Sequence, residues 1–289
     1  MVGTRPPLPR VVALTVLAMI AFASNSILCR AALKETGIDA ATFTSIRLAS
    51  GAAALWLIAR ARRRAGAARG SWLSAAALWG YAAAFSFAYL ELTAATGALL
   101  LFGSVQATMI GHGLWSGERL RGPQLAGLAL ALVGLAGLFL PGLTAPPLLG
   151  AVLMTAAGIA WGVYSLRGRG ARDPLGITAG NFLRAVPMAA AVSVLLAARA
   201  SLDRAGCLHA IASGALASGV GYAIWYTVLP ALKATQAATV QLSVPVLATL
   251  AGIALLGEPA TLRFVVASAF ILGGITLVIL ERRPSKAPT

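Results

Sequence analysis

Charge is what this chain has least of. Only 11% of its 289 residues are charged, 59% are hydrophobic, and the mean hydropathy is +0.85. A soluble domain carries about 25% charged residues. So little polar surface does not cover a water-soluble core, so part of the solvent must be lipid. Acids are scarcer still, 8 Asp and Glu against 23 Lys and Arg. The net charge of +15 raises the question of nucleic acid, but the basic residues sit in short loops between apolar runs. No basic patch with interleaved aromatics is present, so no nucleic-acid partner is expected. The two cysteines, Cys29 and Cys207, are far apart and form neither a disulfide framework nor a CxxC pair. The two histidines, His112 and His209, and the scattered acids make no metal cluster. They also make no carboxylate group or nucleophile–base pair of the kind a membrane enzyme needs. No enzyme activity, catalytic residue, metal or cofactor is expected.

Long apolar runs are what the chain has instead. Ten candidate spans fall near 11–33, 41–59, 72–92, 97–116, 123–141, 147–166, 176–198, 208–229, 234–256 and 261–280. Each is close to the roughly 20 residues that cross a hydrocarbon core of about 30 Å. Ala21-Phe22-Ala23 resembles a signal-peptidase site, but the apolar run continues past it to Leu33. A retained first span is expected. An even number of spans puts both termini on one side. Sixteen Lys and Arg then lie on the side of the termini, five on the other side and two, Arg47 and Arg184, inside spans. The positive-inside rule places both termini in the cytoplasm.

The two halves repeat. LWSGERLRG at 114–122 returns as LLGEPATLR at 255–263. An offset of 140 sets Gly117-Glu118 on Gly257-Glu258, Leu92 on Leu232, Ala94 on Ala234 and Gly134 on Gly274. An offset of 139 sets Ile20-Ala21-Phe22 on Ile159-Ala160-Trp161, and one of 137 sets Arg47 on Arg184. The expected fold is therefore an all-α integral membrane protein of ten transmembrane helices, built as two five-helix repeats, 1–143 and 144–289. Five is odd, so the second repeat is inverted, a recurrent design of secondary transporters with the site near the midplane. Each Gly-Glu pair closes the fourth span of its half. Gly117 and Gly257 suit a left-handed helix end. Glu118 and Glu258 read as turn and cap residues for the helix that follows, where a positive dipole end awaits a carboxylate. The rival reading is a coupling carboxylate.

Five spans per half, GERL and GEPATL after each fourth span, and the Gly-rich fifth spans LAGLALALVGLAGLFL and VVASAFILGGITLVIL carry a resemblance. The chain resembles the drug/metabolite transporter superfamily in its EamA-like ten-helix branch, over nearly its whole length. QLSVPVLATLAG, with Pro245, is similar to that family's proline-bearing fourth helix; in the first half Val105 stands at the proline's place. The resemblance implies a multi-pass carrier of the bacterial inner membrane. Its central cavity would be lined by the first, third, fourth, sixth, eighth and ninth helices. The partners are then the lipid bilayer and a small-molecule substrate, with monomer and homodimer both open.

Polar groups inside spans are the candidate substrate-binding residues. Asn25 lies deep in the first span and reads either as a ligand amide or as a helix–helix hydrogen bond. Arg47 lies nearer a span end, within snorkelling reach. Arg184, beside Asn181 and before Pro187, lies deeper and is the better candidate for a wet cavity; either arginine would favour a carboxylate-bearing substrate. Tyr81, Trp161, Tyr164, Tyr222 and Trp225 offer amphipathic rings. Gln106 and Gln241 should face protein or water. No Asp or Glu lies deep in a span. The expected function is a secondary transporter of small polar metabolites, amino acids or related compounds, working by export. An organic-cation or drug exporter is the alternative, and a membrane enzyme or lipid-handling protein the remote one.

Overall fold

In lipid a backbone has no water to bond to, so a long uncharged run must satisfy its N–H and C=O groups internally, as a helix. The computed structural model describes residues 8–61, 70–115, 117, 122–139, 145–168, 173–232, 240–241, 243–259 and 261–280, and among them all regular structure is helical. In order these are α1 (Leu8–Glu35), α2 (Ala40–Ala61), α3 (Trp72–Ala88), α4 (Ala94–Trp115) and α5 (Gly122–Phe139). There follow α6 (Leu148–Gly168), α7 (Pro174–Leu195), α8 (Arg204–Val228), α9 (Ser243–Leu256) and α10 (Leu262–Leu280). Six of them, α1, α2, α4, α6, α7 and α8, are long and apolar enough to cross a membrane, and the others are shorter apolar helices. The chain is a multi-pass membrane protein.

Most helix starts are set by acids or hydroxyls. Ser71 caps α3 through the Ser74 amide, Asp173 caps α7 through the Gly176 amide at 3.1 Å, and Asp203 caps α8 through the Gly206 amide at 2.8 Å. Each satisfies a backbone N–H that the helix leaves orphaned. The Asp203 cap explains why α8 begins at Arg204, four residues before the expected 208. The third span was expected to reach 92. It ends at Ala88 instead, because the chain turns at Tyr89 to bring the Glu91 carboxylate to the Gly150 amide at 2.9 Å, capping α6. Both Gly-Glu turns hold their glycine in the left-handed region, Gly117 at φ 87° and Gly257 at φ 61°.

Small residues let the helices pack closely. In a bilayer, helix association draws on van der Waals contact and hydrogen bonds rather than on expulsion of water. α2 lies along α7, where Ser45 and Ser193 hydroxyls meet at 2.8 Å. α5 and α10 form the most extensive pair. There a side chain at Gly134 would strike Phe270, and one at Gly274 would strike the Gly127 carbonyl. Large apolar side chains such as Leu57, Val194, Leu195 and Val265 point outward. The interior is mostly apolar as well, with Phe43, Leu48, Leu78, Leu99 and Met154, but it also holds Arg47, Asn25, Thr44, Ser86, Gln106 and Asn181. Apolar outer faces with the polar groups kept inside are suited to lipid.

Candidate substrate site

The site begins where α1 meets α8. The middle of α8, Ala212–Val220, is wound as a π-helix. Its i→i+5 spacing stacks residues five apart over one another. Ser213 and Ser218 are five apart, and both donate to the Asn25 carbonyl oxygen, at 2.8 and 3.3 Å. Gly214 lets the same segment pack against α2, since a side chain there would strike the Arg47 carbonyl. Asn25 is thereby locked, with its oxygen fully used. Among the described residues no acceptor meets its amide nitrogen.

Asn25 forms part of the wall of an internal cleft. The other described walls are Phe22 and Ser26 of α1, Tyr81 and Phe85 of α3, Leu101 and Phe102 of α4, Trp161 of α6, Tyr222 of α8, and Gln241. The cleft contains about 420 Å³ of atom-free space, part of it continuous with solvent. Trp161 is the hub of its aromatic wall. It stacks on Tyr222 at 5.4 Å and on Tyr164 at 5.3 Å, and meets Tyr81 tilted at 4.9 Å. Tyr222 in turn contacts Phe22 at 5.6 Å. Such rings give apolar contact area with polar tips.

Arg47 lies directly behind this wall and is 2% exposed. Its Nη2 donates to the Tyr81 hydroxyl at 2.9 Å, and its guanidinium lies over Phe85 at 4.7 Å and over Tyr81 at 5.3 Å. Arg47 therefore points inward rather than snorkelling outward. Arg184 goes the other way. It is half-buried, donates back to the Gly180 carbonyl at 3.0 Å, and sits 5.9 Å from the ring of exposed Trp72 at the start of α3. It is not among the described cleft residues. The depth inferred from helix position ranked these two arginines in the opposite order, because azimuth decides which way a side chain faces.

Of the other expected residues, Asn25, Tyr81, Trp161, Tyr222 and Gln241 come together in the cleft. Tyr164 stands one layer back, accepting from Asn181 at 3.4 Å. Trp225 packs against Phe22 at 6.0 Å. Gln106 is buried in α4, outside the described lining, and Pro245 is buried in α9. The sequence reading overlooked Phe22, Ser26, Leu101, Phe102, Ser213 and Ser218 as parts of the site. Two serines five apart signal nothing until the π-helix that aligns them is known.

Glu258 needs a correction. It was expected to cap the helix that follows it, at the membrane edge. It is 5% exposed, and its carboxylate caps α4 instead, taking the Ala94 amide at 2.8 and 3.1 Å and pairing with Arg30 of α1 at 3.4 Å. Gly257 turns the chain back so that the acid reaches across the bundle. Glu118 lies outside the described residues. Asp39, Glu91, Asp173, Asp203 and Glu258 all serve as helix caps, and no described carboxylate lines the cleft.

The chain is thus an all-helical, multi-pass bundle with a polar and aromatic cleft inside it. Residues 148–280 match the EamA-like transporter family. A protein of Pseudomonas aeruginosa named as uncharacterized protein PA1977 is 57% identical over 274 residues, covering 94% of this chain and 96% of that one. An uncharacterized transporter of Archaeoglobus fulgidus is 41% identical over 69 residues, 24% of this chain and 25% of that one. One solved crystal structure overlays with a TM-score of 0.66 at 22% identity, covering 94% of this chain and 99% of the other, which shows a shared fold. The second half of the chain thus carries an EamA-like transporter family domain, and the archaeal relative is consistent with the drug/metabolite transporter superfamily.

Proposed function

We propose that this protein is a secondary transporter that moves small polar metabolites, amino acids or related compounds, out of the cell across the bacterial inner membrane by alternating access. Ten helices form two inverted repeats, 1–143 and 144–289, with both termini in the cytoplasm. The observation that carries the reading is the composition of the cleft. Its walls come from both halves, with Phe22 of α1 and Trp161 of α6 at positions that the internal offset of 139 equates.

The helix pairing supports the repeat. Moving each helix number by five turns the pair α3–α6 into α8–α1, α4–α6 into α9–α1, and α3–α7 into α8–α2, and all of these pairs are in contact. The pairs α2–α7, α4–α9 and α5–α10 map onto themselves. A molecule with that near-twofold arrangement has two packings of similar energy, one open to each side. Glu258 fits the role of an outer clasp, since it joins the end of α9 to α1 and α4, across the two halves. The absence of a described acid in the cleft weighs against an organic-cation exporter.

The test compares metabolites in the medium and inside cells producing the intact chain or an Asn25→Ala, Trp161→Ala variant at equal membrane levels. A narrow set of compounds accumulating outside only with the intact chain is the expected result. Identical profiles for intact, variant and empty cells would overturn export.

A further inference from the structure

Among the described residues Arg47 is the largest side chain so nearly enclosed, about 10 Å along α2 from its start. Arginine keeps its charge in any protein environment. A buried charge is costly unless it is paired and its donors are satisfied. Arg47 meets only part of that condition. Nη2 is bonded to Tyr81 and two rings face the guanidinium, but Nη1 has no hydrogen-bond partner. Among the described residues the only ion pair joins Arg30 to Glu258, so no described carboxylate neutralises Arg47.

The hydrogen bond to Tyr81 has a direction that matters. The Tyr81 oxygen accepts from Arg47, so its own O–H proton remains available to donate. Among the described residues no acceptor receives it. Tyr81 is itself part of the cleft wall. The cation thus fixes a hydroxyl donor at the wall and places a positive charge one side chain behind it. The surrounding walls are rings and aliphatic groups, Phe22, Phe85, Leu101, Phe102 and Trp161. They offer an organic cation no opposite charge.

We propose that Arg47 and Tyr81 form an anion receptor, and that the carried molecule is a carboxylate with an apolar or aromatic body. This deepens the transport reading and rests on it. Tyr81 donates its hydroxyl proton in a hydrogen bond to the carboxylate, and the guanidinium behind it supplies the opposite charge. The Asn25 amide nitrogen serves a second polar group. An amino acid fits through its carboxylate; a simple amine does not.

Three probes of one shape separate the charges: phenylacetate, phenylacetamide and phenethylamine. Each is titrated into the purified full chain in detergent, read by its shift in melting temperature and by tryptophan fluorescence. Flux of labelled phenylacetate into proteoliposomes is measured in parallel. Phenylacetate is expected to bind at least about tenfold more tightly than the amide, and the amine more weakly still. Tyr81→Phe and Arg47→Gln should each lower that acid-to-amide ratio towards one. The ratio is indifferent to a uniform loss of folded protein, so it separates a receptor from a structural tie. Equal or tighter binding of amide or amine would overturn the receptor, as would a ratio unchanged in both variants or no carboxylate binding at all. Binding with the expected ratio but no flux would leave the receptor standing and overturn transport. Flux of an uncharged or cationic compound that is indifferent to Arg47 would do the reverse.

Discussion

At the scale of single residues, the scarcity of acids has a consequence: five of the six described acids cap a helix. Glu258 shows it best. Its carboxylate holds the Ala94 amide and Arg30 in a buried position. Removing it leaves a buried backbone donor without its acceptor and takes the counter-charge from Arg30, whose Nη1 still donates to the Tyr89 and Leu90 carbonyls. Glu258→Ala should therefore cost about 1–3 kcal/mol, the usual range for orphaned buried groups, with Glu258→Gln costing less because it keeps one acceptor oxygen. Thermal unfolding in detergent measures both. A coupling carboxylate behaves differently: Gln there would abolish the pH dependence of transport while stability held. Position in the chain placed Glu258 at a turn, and it is at a turn. That the turn delivers the acid to a helix start 164 residues away along the chain depends on how α4, α9 and α1 pack.

At the scale of elements, the start of α2 ties one loop to another. Asp39 accepts from the Ala41 and Thr42 amides at 3.0 and 2.9 Å through one oxygen, and from the Ser201 amide at 2.9 Å through the other. Burial alone pushes the Asp39 carboxyl up. The bonds from Thr42, Ser201 and Ala41 together outweigh it and hold the group below its ordinary value of 3.8. The charged form is thus favoured by folding. Its contribution to stability is full above about pH 3.8 and is lost as pH falls through the lowered value. Asp39→Asn should melt earlier than the parent chain at neutral pH, and the gap should close in strong acid. A gap that stays constant with pH would show that the carboxylate charge plays no part. Helices were legible from apolar runs because lipid leaves the backbone no alternative. The π-helical turn in α8 was not legible. It exists because Gly214 and the two serines pack against α1 and α2, and such contacts leave no local period in the sequence.

At the scale of the whole molecule, the basic loops predict orientation. Arg60 is exposed at the end of α2, and Ser201 is exposed before α8. In a Cys207→Ser background, a membrane-impermeant thiol reagent should label Ser201→Cys in intact cells, and Arg60→Cys only after the membrane is opened. The opposite pattern would invert the proposed topology. The sequence by itself determined the solvent, the helical class and the internal offset near 140. Each of these follows from composition and order along the chain, which folding does not alter. Gly134 and Gly274, matched by that offset, both lie at the α5–α10 contact. The tertiary structure alone decided which polar groups meet. Arg47 and Arg184 occupy equivalent places in the offset, yet one turns inward to Tyr81 and the other outward to Trp72. Phe102 and Ser26, ordinary residues in an apolar chain, become cleft walls. The physical reason is that hydropathy records how deep a residue lies along a span. The direction in which it faces is set by neighbouring helices, and in lipid those neighbours are chosen by close contact and hydrogen bonds rather than by any apolar stripe.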